Sequence, residues 1–276
     1  MAGGRKRGAN PDLSIIIVSW NVRRLLEECL KSLYDSINGL TFEVFVVDNA
    51  SSDQSVEMVR SKFRDVCLIA NSENVGFGRA NNQALEMSRG KYVLFLNPDA
   101  LVLKGCVEEL VDFLERHPTV GMVGPELVNG RNKLLFNWSR LSLRGITEFV
   151  VERLVSTLTR THPVVLFKAS RAVKWLTGAC WMVRRELIDQ VGSFDENLFM
   201  YGEEPDFCYR VRKAGWKIYF LRHVCITHYK GQSAKQVGSS LPRFFASMFY
   251  VVKKRLAALN VTLRPRSYNL ARKPQR

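Results

Sequence analysis

Along the first 128 residues, short apolar runs alternate with stretches whose apolar positions recur at helical spacing. The runs Leu13–Val18, Phe42–Val47, Val66–Ala70, Tyr92–Leu96 and Val120–Val128 are rich in β-branched and aromatic residues. They predict strands buried on both faces. Between them the pattern predicts helices over Arg24–Tyr34, Ser55–Phe63, Arg79–Ser88 and Gly105–Glu115. Asp53 precedes the second helix by a capping distance, and Gly39 and Gly90 stand where helices should stop. Such alternation implies βαβ units and a mostly parallel sheet. Ligands of such sheets bind beyond the carboxyl ends of the strands. Three predicted strands end there on polar groups: Ser19-Trp20-Asn21, Asp48-Asn49 and Asn97-Pro98-Asp99.

After residue 130 the alternation breaks. Leu141–Phe167 is apolar with interspersed arginines and reads as one or two amphipathic helices. A second set of signals follows: a strand over Trp175–Val183, a helix over Pro205–Ala214, and short strands near Ile218 and Cys225. Phe244–Ala258 reads as a basic amphipathic helix, with a loose tail behind it. The chain thus divides into a basic tail (1–12), an alternating half (13–130), a second half of the same domain (131–240), and a basic helix and tail (241–276).

Charge sharpens this division. The chain carries +15 overall, yet residues 13–130 hold 11 basic against 16 acidic residues, and 131–185 hold 11 against 2. From Leu241 to Arg276 there are 9 basic residues and none acidic. Basic segments with apolar residues between them suit an anionic membrane surface or a phosphorylated ligand. The acidic alternating half and the lack of a nucleic-acid motif argue against nucleic acid as a partner. The six cysteines (29, 67, 106, 180, 208 and 225) show neither C-x-x-C pairing nor zinc spacing, as expected of buried thiols in a reducing compartment. The basic Arg5-Lys6-Arg7 leads only to a short apolar run, not a secretory signal, and the expected location is cytoplasmic, resting on the inner face of a membrane.

Four clusters carry candidate chemistry. Asn97-Pro98-Asp99 offers one carboxylate and one amide at a strand end, the hard oxygen donors that Mg²⁺ or Mn²⁺ accepts beside a diphosphate. Glu203-Glu204-Pro205-Asp206 crowds three carboxylates at the start of a helix. Crowding can raise one pKa, as a general base needs, although helix capping would select the same residues. His228 follows a strand and could join a metal site. Asn74-Val75-Gly76-Phe77-Gly78-Arg79 resembles a dinucleotide fingerprint, but Asn81 stands where the third glycine belongs. The loop still suits a diphosphate, with Arg79 near a helix start.

Read in order, Leu13–Asn21, Val46–Asp53, Asn74–Asn82, Phe95–Asp99, Leu176–Cys180 and Phe199–Asp206 resemble glycosyltransferase family 2, in the branch of bacterial rhamnosyltransferase-like enzymes. The likeness covers roughly residues 13–235. It implies a GT-A fold, a nucleotide-sugar-binding first half, an acceptor and catalytic second half, and inversion at the anomeric carbon. On the residues of this chain, it implies that Asp48 contacts the donor base and that Asn49, Asn21 and Ser19 line the nucleotide pocket. Asn74, Gly76, Arg79 and Asn97 would lie along the ribose and diphosphate. Asp99 and His228 would hold a divalent metal, Gly178, Ala179 and Asp206 would shape the acceptor side, and Glu204 or Glu203 would be the base.

Two positions depart from the family pattern. Asn97 replaces the first Asp of D-x-D, and Glu204 stands where an Asp is usual. The implied donor is dTDP-L-rhamnose, and the implied acceptor is a saccharide or lipid-linked saccharide of cell-surface polysaccharide synthesis. The other classes weighed are a catalytically inactive nucleotide-sugar-binding protein of the same fold and a nucleotidyltransferase. The latter normally places a glycine-rich basic loop after its first strand, where Ser19-Trp20-Asn21 stands here.

Overall fold

The computed structural model describes residues 10–130, 135, 170–229 and 241–262. Among the described residues nine strands form one mixed sheet: β1 (Leu13–Ser19), β2 (Phe42–Asp48), β3 (Cys67–Ala70), β4 (Tyr92–Leu96), β5 (Ala100–Leu101), β6 (Val120–Val128), β7 (Arg171–Ala172), β8 (Cys180–Arg184) and β9 (Lys217–His228). The helices are α1 (Arg23–Ser36), α2 (Ser55–Lys62), α3 (Phe77–Met87), α4 (Cys106–Arg116), α5 (Arg185–Val191), α6 (Glu203–Lys213) and α7 (Leu241–Thr262). The strand order is β3-β2-β1-β4-β8-β6-β9-β5, with β7 beside β9. The first four strands are parallel, as the alternating half predicts. Beyond β4 the direction reverses: β8 runs antiparallel to both β4 and β6.

The two faces of β1 explain the continuous apolar run. Ile15 and Ile17 enter a core with Leu26 and Leu30 of α1 and Leu110 and Leu114 of α4. Ile16 enters the opposite core, with Ala80 and Ala84 of α3, Trp181 of β8 and Phe207 of α6. Alternate side chains point to opposite faces, so a strand covered on both must be apolar throughout. Gly90 is required because an added Cβ would lie 2.6 Å from the carbonyl carbon of Leu13. Its N–H instead donates to Ser14 Oγ at 2.7 Å.

Three element boundaries differ from expectation. The strand predicted from Trp175 begins only at Cys180. The β4–β8 pairing ends at Leu96↔Cys180, and Pro98 just beyond it has no N–H to extend the ladder. The two short strands near Ile218 and Cys225 are one strand, β9. Its register against β6 jumps from Pro125↔Leu221 to Glu126↔Cys225, and Arg222 and His223 in that kink interrupt the apolar pattern. Helix α6 starts at Glu203, two residues before Pro205, from Gly202 with φ +96°. The segment Leu141–Phe167 and the final tail lie outside the described residues.

Helix α7 docks on α6 and the loop before it. Ser247 Oγ donates to Met200 O (2.9 Å), Tyr250 OH to Asp195 (3.1 Å) and Arg255 to Pro205 O (2.9 Å). Lys254 bridges Asp195 at 2.6 Å and Asp206 at 3.0 Å, and Val251 is fully buried.

Candidate active site

The carboxyl ends of β1, β2 and β4 open on one cleft of about 210 Å³. Ser19, Asn49, Asn74, Asn97 and Asp99 line it from the parallel half. Thr177, Gly178, Ala179, Glu203, Glu204 and His228 line it from the other. The reversal of direction at β8 brings the turn before that strand to the end of β4. Asn97 N–H donates to Ala179 O at 2.9 Å there.

Amides hold the parallel-half side of the cleft together. Asn49 Nδ2 donates to Asn74 Oδ1 (3.2 Å) and Gly76 O (3.3 Å), while its Oδ1 accepts from Asn71 Nδ2 (2.9 Å). Asn74 Oδ1 also accepts from Gly76 N–H at 3.0 Å. Gly76 itself has φ +88°, and a Cβ there would lie 2.6 Å from Phe199 O. That carbonyl accepts from Phe77 N–H at 2.9 Å. The loop opening α3 is therefore fastened to the loop before α6, which joins the two sides of the cleft.

Asp99 from the parallel half and His228 from the other are both buried, with His228 Nε2 3.0 Å from Asp99 Oδ1. The β5–β9 pairing causes this: Ala100 is opposite His228, and Asp99 O accepts from Tyr229 N–H at 2.9 Å. Among the described residues no cluster of three His, Cys, Asp or Glu gathers that could enclose a metal ion. One carboxylate and one imidazole in a cleft fit a divalent ion completed by ligand oxygens and water. The nitrogen donor suits Mn²⁺ better than Mg²⁺.

Glu203 and Glu204 begin α6. Glu204 Oε1 accepts from Gly178 N–H at 3.2 Å, and Glu203 Oε2 is buried with no hydrogen-bond partner. Burial, then the neighbouring Glu204 charge, pushes Glu203 above the usual carboxylate range, and burial raises Glu204 as well. Two adjacent carboxyls out of water resist ionising together, so they titrate as a pair. Ser19 Oγ and Asp48 Oδ2 are also buried without a hydrogen-bond partner. Buried polar atoms of this kind are those that a polar ligand satisfies. Burial raises the Asp48 pKa, against the lowering effect of its bonds from Ser51.

Five residues singled out in the sequence sit elsewhere. Asn21 (φ +52°) ties two loops: its Oδ1 accepts from Ser52 N–H at 2.7 Å and its own N–H donates to Ser51 Oγ at 2.8 Å. Asp48 lies beneath the cleft at the end of β2, and Gly76 turns the chain into α3. Arg79 is exposed, 3.9 Å from Glu196. Asp206 pairs with Arg210 (2.9 Å) and Lys254, away from the cleft wall. Sequence reasoning gave no role to Trp20, Phe77, Met200 and Tyr201, which also line the cleft. Tyr201 has φ +68°, a strain with no sequence signal.

Comparisons with known proteins bear on the family and the fold. The profile of Glycosyl transferase family 2 matches residues 14–192. An N-acetylglucosaminyl-diphospho-decaprenol L-rhamnosyltransferase of Mycobacterium tuberculosis is 29% identical over 240 residues, 80% of this chain and 77% of that protein. The rhamnosyltransferase WbbL of Escherichia coli is 23% identical over 83% of this chain and 90% of its own. The mannosyltransferase PcManGT of Pyrobaculum calidifontis, solved with GDP-Man and Mn²⁺, superposes with a TM-score of 0.60 at 21% identity. That match covers 88% of this chain and 65% of the mannosyltransferase. The fold is therefore GT-A, and with the ordered motifs gathered at the carboxyl ends of its strands, the chain belongs to glycosyl transferase family 2.

Proposed function

We propose that this protein is an inverting, metal-assisted glycosyltransferase that moves L-rhamnose from dTDP-L-rhamnose to a hydroxyl of a saccharide or lipid-linked saccharide. The observation that carries it is one cleft lined by Asp99, His228 and the Glu203–Glu204 pair together. The rhamnosyl donor and the lipid-linked acceptor rest on the M. tuberculosis and E. coli relatives and on the motif resemblance.

The donor nucleotide would lie over the ends of β1 and β2, where Ser19 and Asn49 line the cleft. Glu204 takes the proton of the acceptor hydroxyl. That oxygen bonds to the anomeric carbon from the face opposite the diphosphate, and the bond to the leaving phosphate oxygen breaks, which inverts the centre. Gly178 N–H holds Glu204 Oε1, which leaves the other oxygen for the proton. Its raised pKa gives a stronger base than an exposed carboxylate. A divalent ion held by Asp99 and His228 would supply charge to the departing diphosphate.

The test is donor turnover across UDP-, GDP- and dTDP-sugars with Mn²⁺ or Mg²⁺, for wild type and Asp99→Ala. Metal-dependent use of dTDP-L-rhamnose, lost in the variant, is the expected result. Turnover of another donor alone would replace the sugar, and binding of none would overturn the reading.

A further inference from the structure

Helix α7 presents an apolar stripe on the side opposite its docked face. Phe249 is 72% exposed, Leu256 56% and Val252 48%, and Phe245, one turn earlier, is 65% exposed. At 100° per residue these four positions span about 60° of the helix surface. Ser247, Tyr250, Val251 and Lys254, which bond or pack onto the body of the protein, lie on the other side. A globular helix ordinarily turns its apolar face inward. This one is bonded to the body of the protein through Ser247, Tyr250, Lys254 and Arg255 and shows Phe249, Val252 and Leu256 to solvent.

The geometry points to α7 as a surface that lies flat in the interface of an anionic lipid bilayer. The charge around the stripe selects that occupant. Exposed Lys253 flanks it, no acidic residue occurs from Leu241 to Arg276, and five basic residues follow the helix. A second copy of this chain would bring the same positive segment against itself. A bilayer of anionic headgroups complements it, with the aromatic and aliphatic tips entering the acyl boundary. Among the described residues no helix is long and apolar enough to cross a membrane, so α7 rests on the surface. Because α7 bonds to the loop and helix that carry Met200 and Glu204, docking would hold the cleft at a fixed height above the lipid. The inference stands independently of the donor sugar and of the choice of acceptor.

The experiment is co-sedimentation of the full chain with vesicles of phosphatidylcholine alone or with 30% phosphatidylglycerol, compared with Phe249→Ser/Leu256→Ser. Both substituted side chains are exposed, and donor binding and thermal unfolding are measured alongside. We expect binding to anionic vesicles, at least tenfold weaker in the double variant, with donor binding and Tm unchanged. A second readout places Phe249→Trp on α7, whose emission shifts to the blue on anionic vesicles. Equal binding of wild type and variant, an unshifted emission, or a concentration-dependent dimer abolished by the same substitutions without vesicle binding would overturn the proposal. A loss of donor turnover with vesicle binding intact would count against the sugar-transfer reading only.

Discussion

Gly178 sets the position of the proposed base, and replacing it with Ala tests that role. A Cβ at position 178 would run into Glu204 Oε1 and stand 3.0 Å from both Glu204 Cδ and Cγ. Ordinary carbon contacts are about 3.5–4.0 Å, so the carboxylate must retreat by several tenths of an ångström to about 1 Å. The backbone of Gly178 is not in the left-handed region, so Ala costs the fold little. Misplacing a catalytic group by about 1 Å costs on the order of 10²-fold in rate, or about 2.7 kcal/mol. We therefore expect kcat to fall by about that factor while donor binding holds, measured by steady-state transfer and by donor titration. Glu204→Asp withdraws the carboxylate by one methylene and should itself slow transfer. In the double variant the methyl group and the shortened side chain share the same space. The two losses should therefore fall short of additivity by about 1 kcal/mol or more. A Gly178→Ala enzyme with kcat within twofold of wild type would refute the assignment of Glu204.

Other outcomes follow from the same geometry. His228→Ala should raise the Mn²⁺ concentration for half-maximal transfer by about tenfold or more, and weaken the Mn²⁺ signal seen by electron paramagnetic resonance; superimposable titrations would remove His228 from the metal. Glu203 has a folded-state pKa above its unfolded one, so its contribution to stability is complete below the ordinary carboxylate range and is lost as pH rises through the raised value. Glu203→Gln should therefore melt about 2 °C or more above wild type at pH 8 and level with it near pH 4, by calorimetry at both values. Gly76→Ala meets both the φ of +88° and the Phe199 carbonyl, and should cost about 2 kcal/mol, seen as a Tm lower by about 4–8 °C together with weaker donor binding.

The parallel half of the sheet was legible because burial on both faces writes itself as unbroken apolar runs, and because Asn and Asp mark where those runs meet the cleft. β5 and β7 are two residues each and have no periodicity to detect. β9 was read as two strands because its kink places Arg222 and His223 among apolar neighbours. Asn97, Asp99, Gly178 and Glu204, which line the cleft, stand in the ordered motifs, and His228 was singled out at a strand end, whereas Met200 and Tyr201 were given no role. What brings those two in is the backbone turn before Gly202 and the contact of Phe199 with Gly76, which join segments more than a hundred residues apart. No local pattern encodes a contact of that kind.

Asp206 shows why an acidic cluster underdetermines its own roles. In sequence, Glu203, Glu204 and Asp206 are three carboxylates at one helix start, each suited to the positive end of the dipole. Successive helical residues are 100° apart, so they cannot all face one cleft. Glu203 and Glu204 line the cleft, where burial raises their pKa values. Asp206 points toward α7 and is met by Lys254 at 3.0 Å and Arg210 at 2.9 Å. Two cations beside Asp206 also keep its charge from adding to the repulsion within the Glu pair. The same helix turn thus separates a destabilised pair that faces the cleft from a paired carboxylate that anchors α7. The latch residue, Lys254, comes from about fifty positions further along the chain.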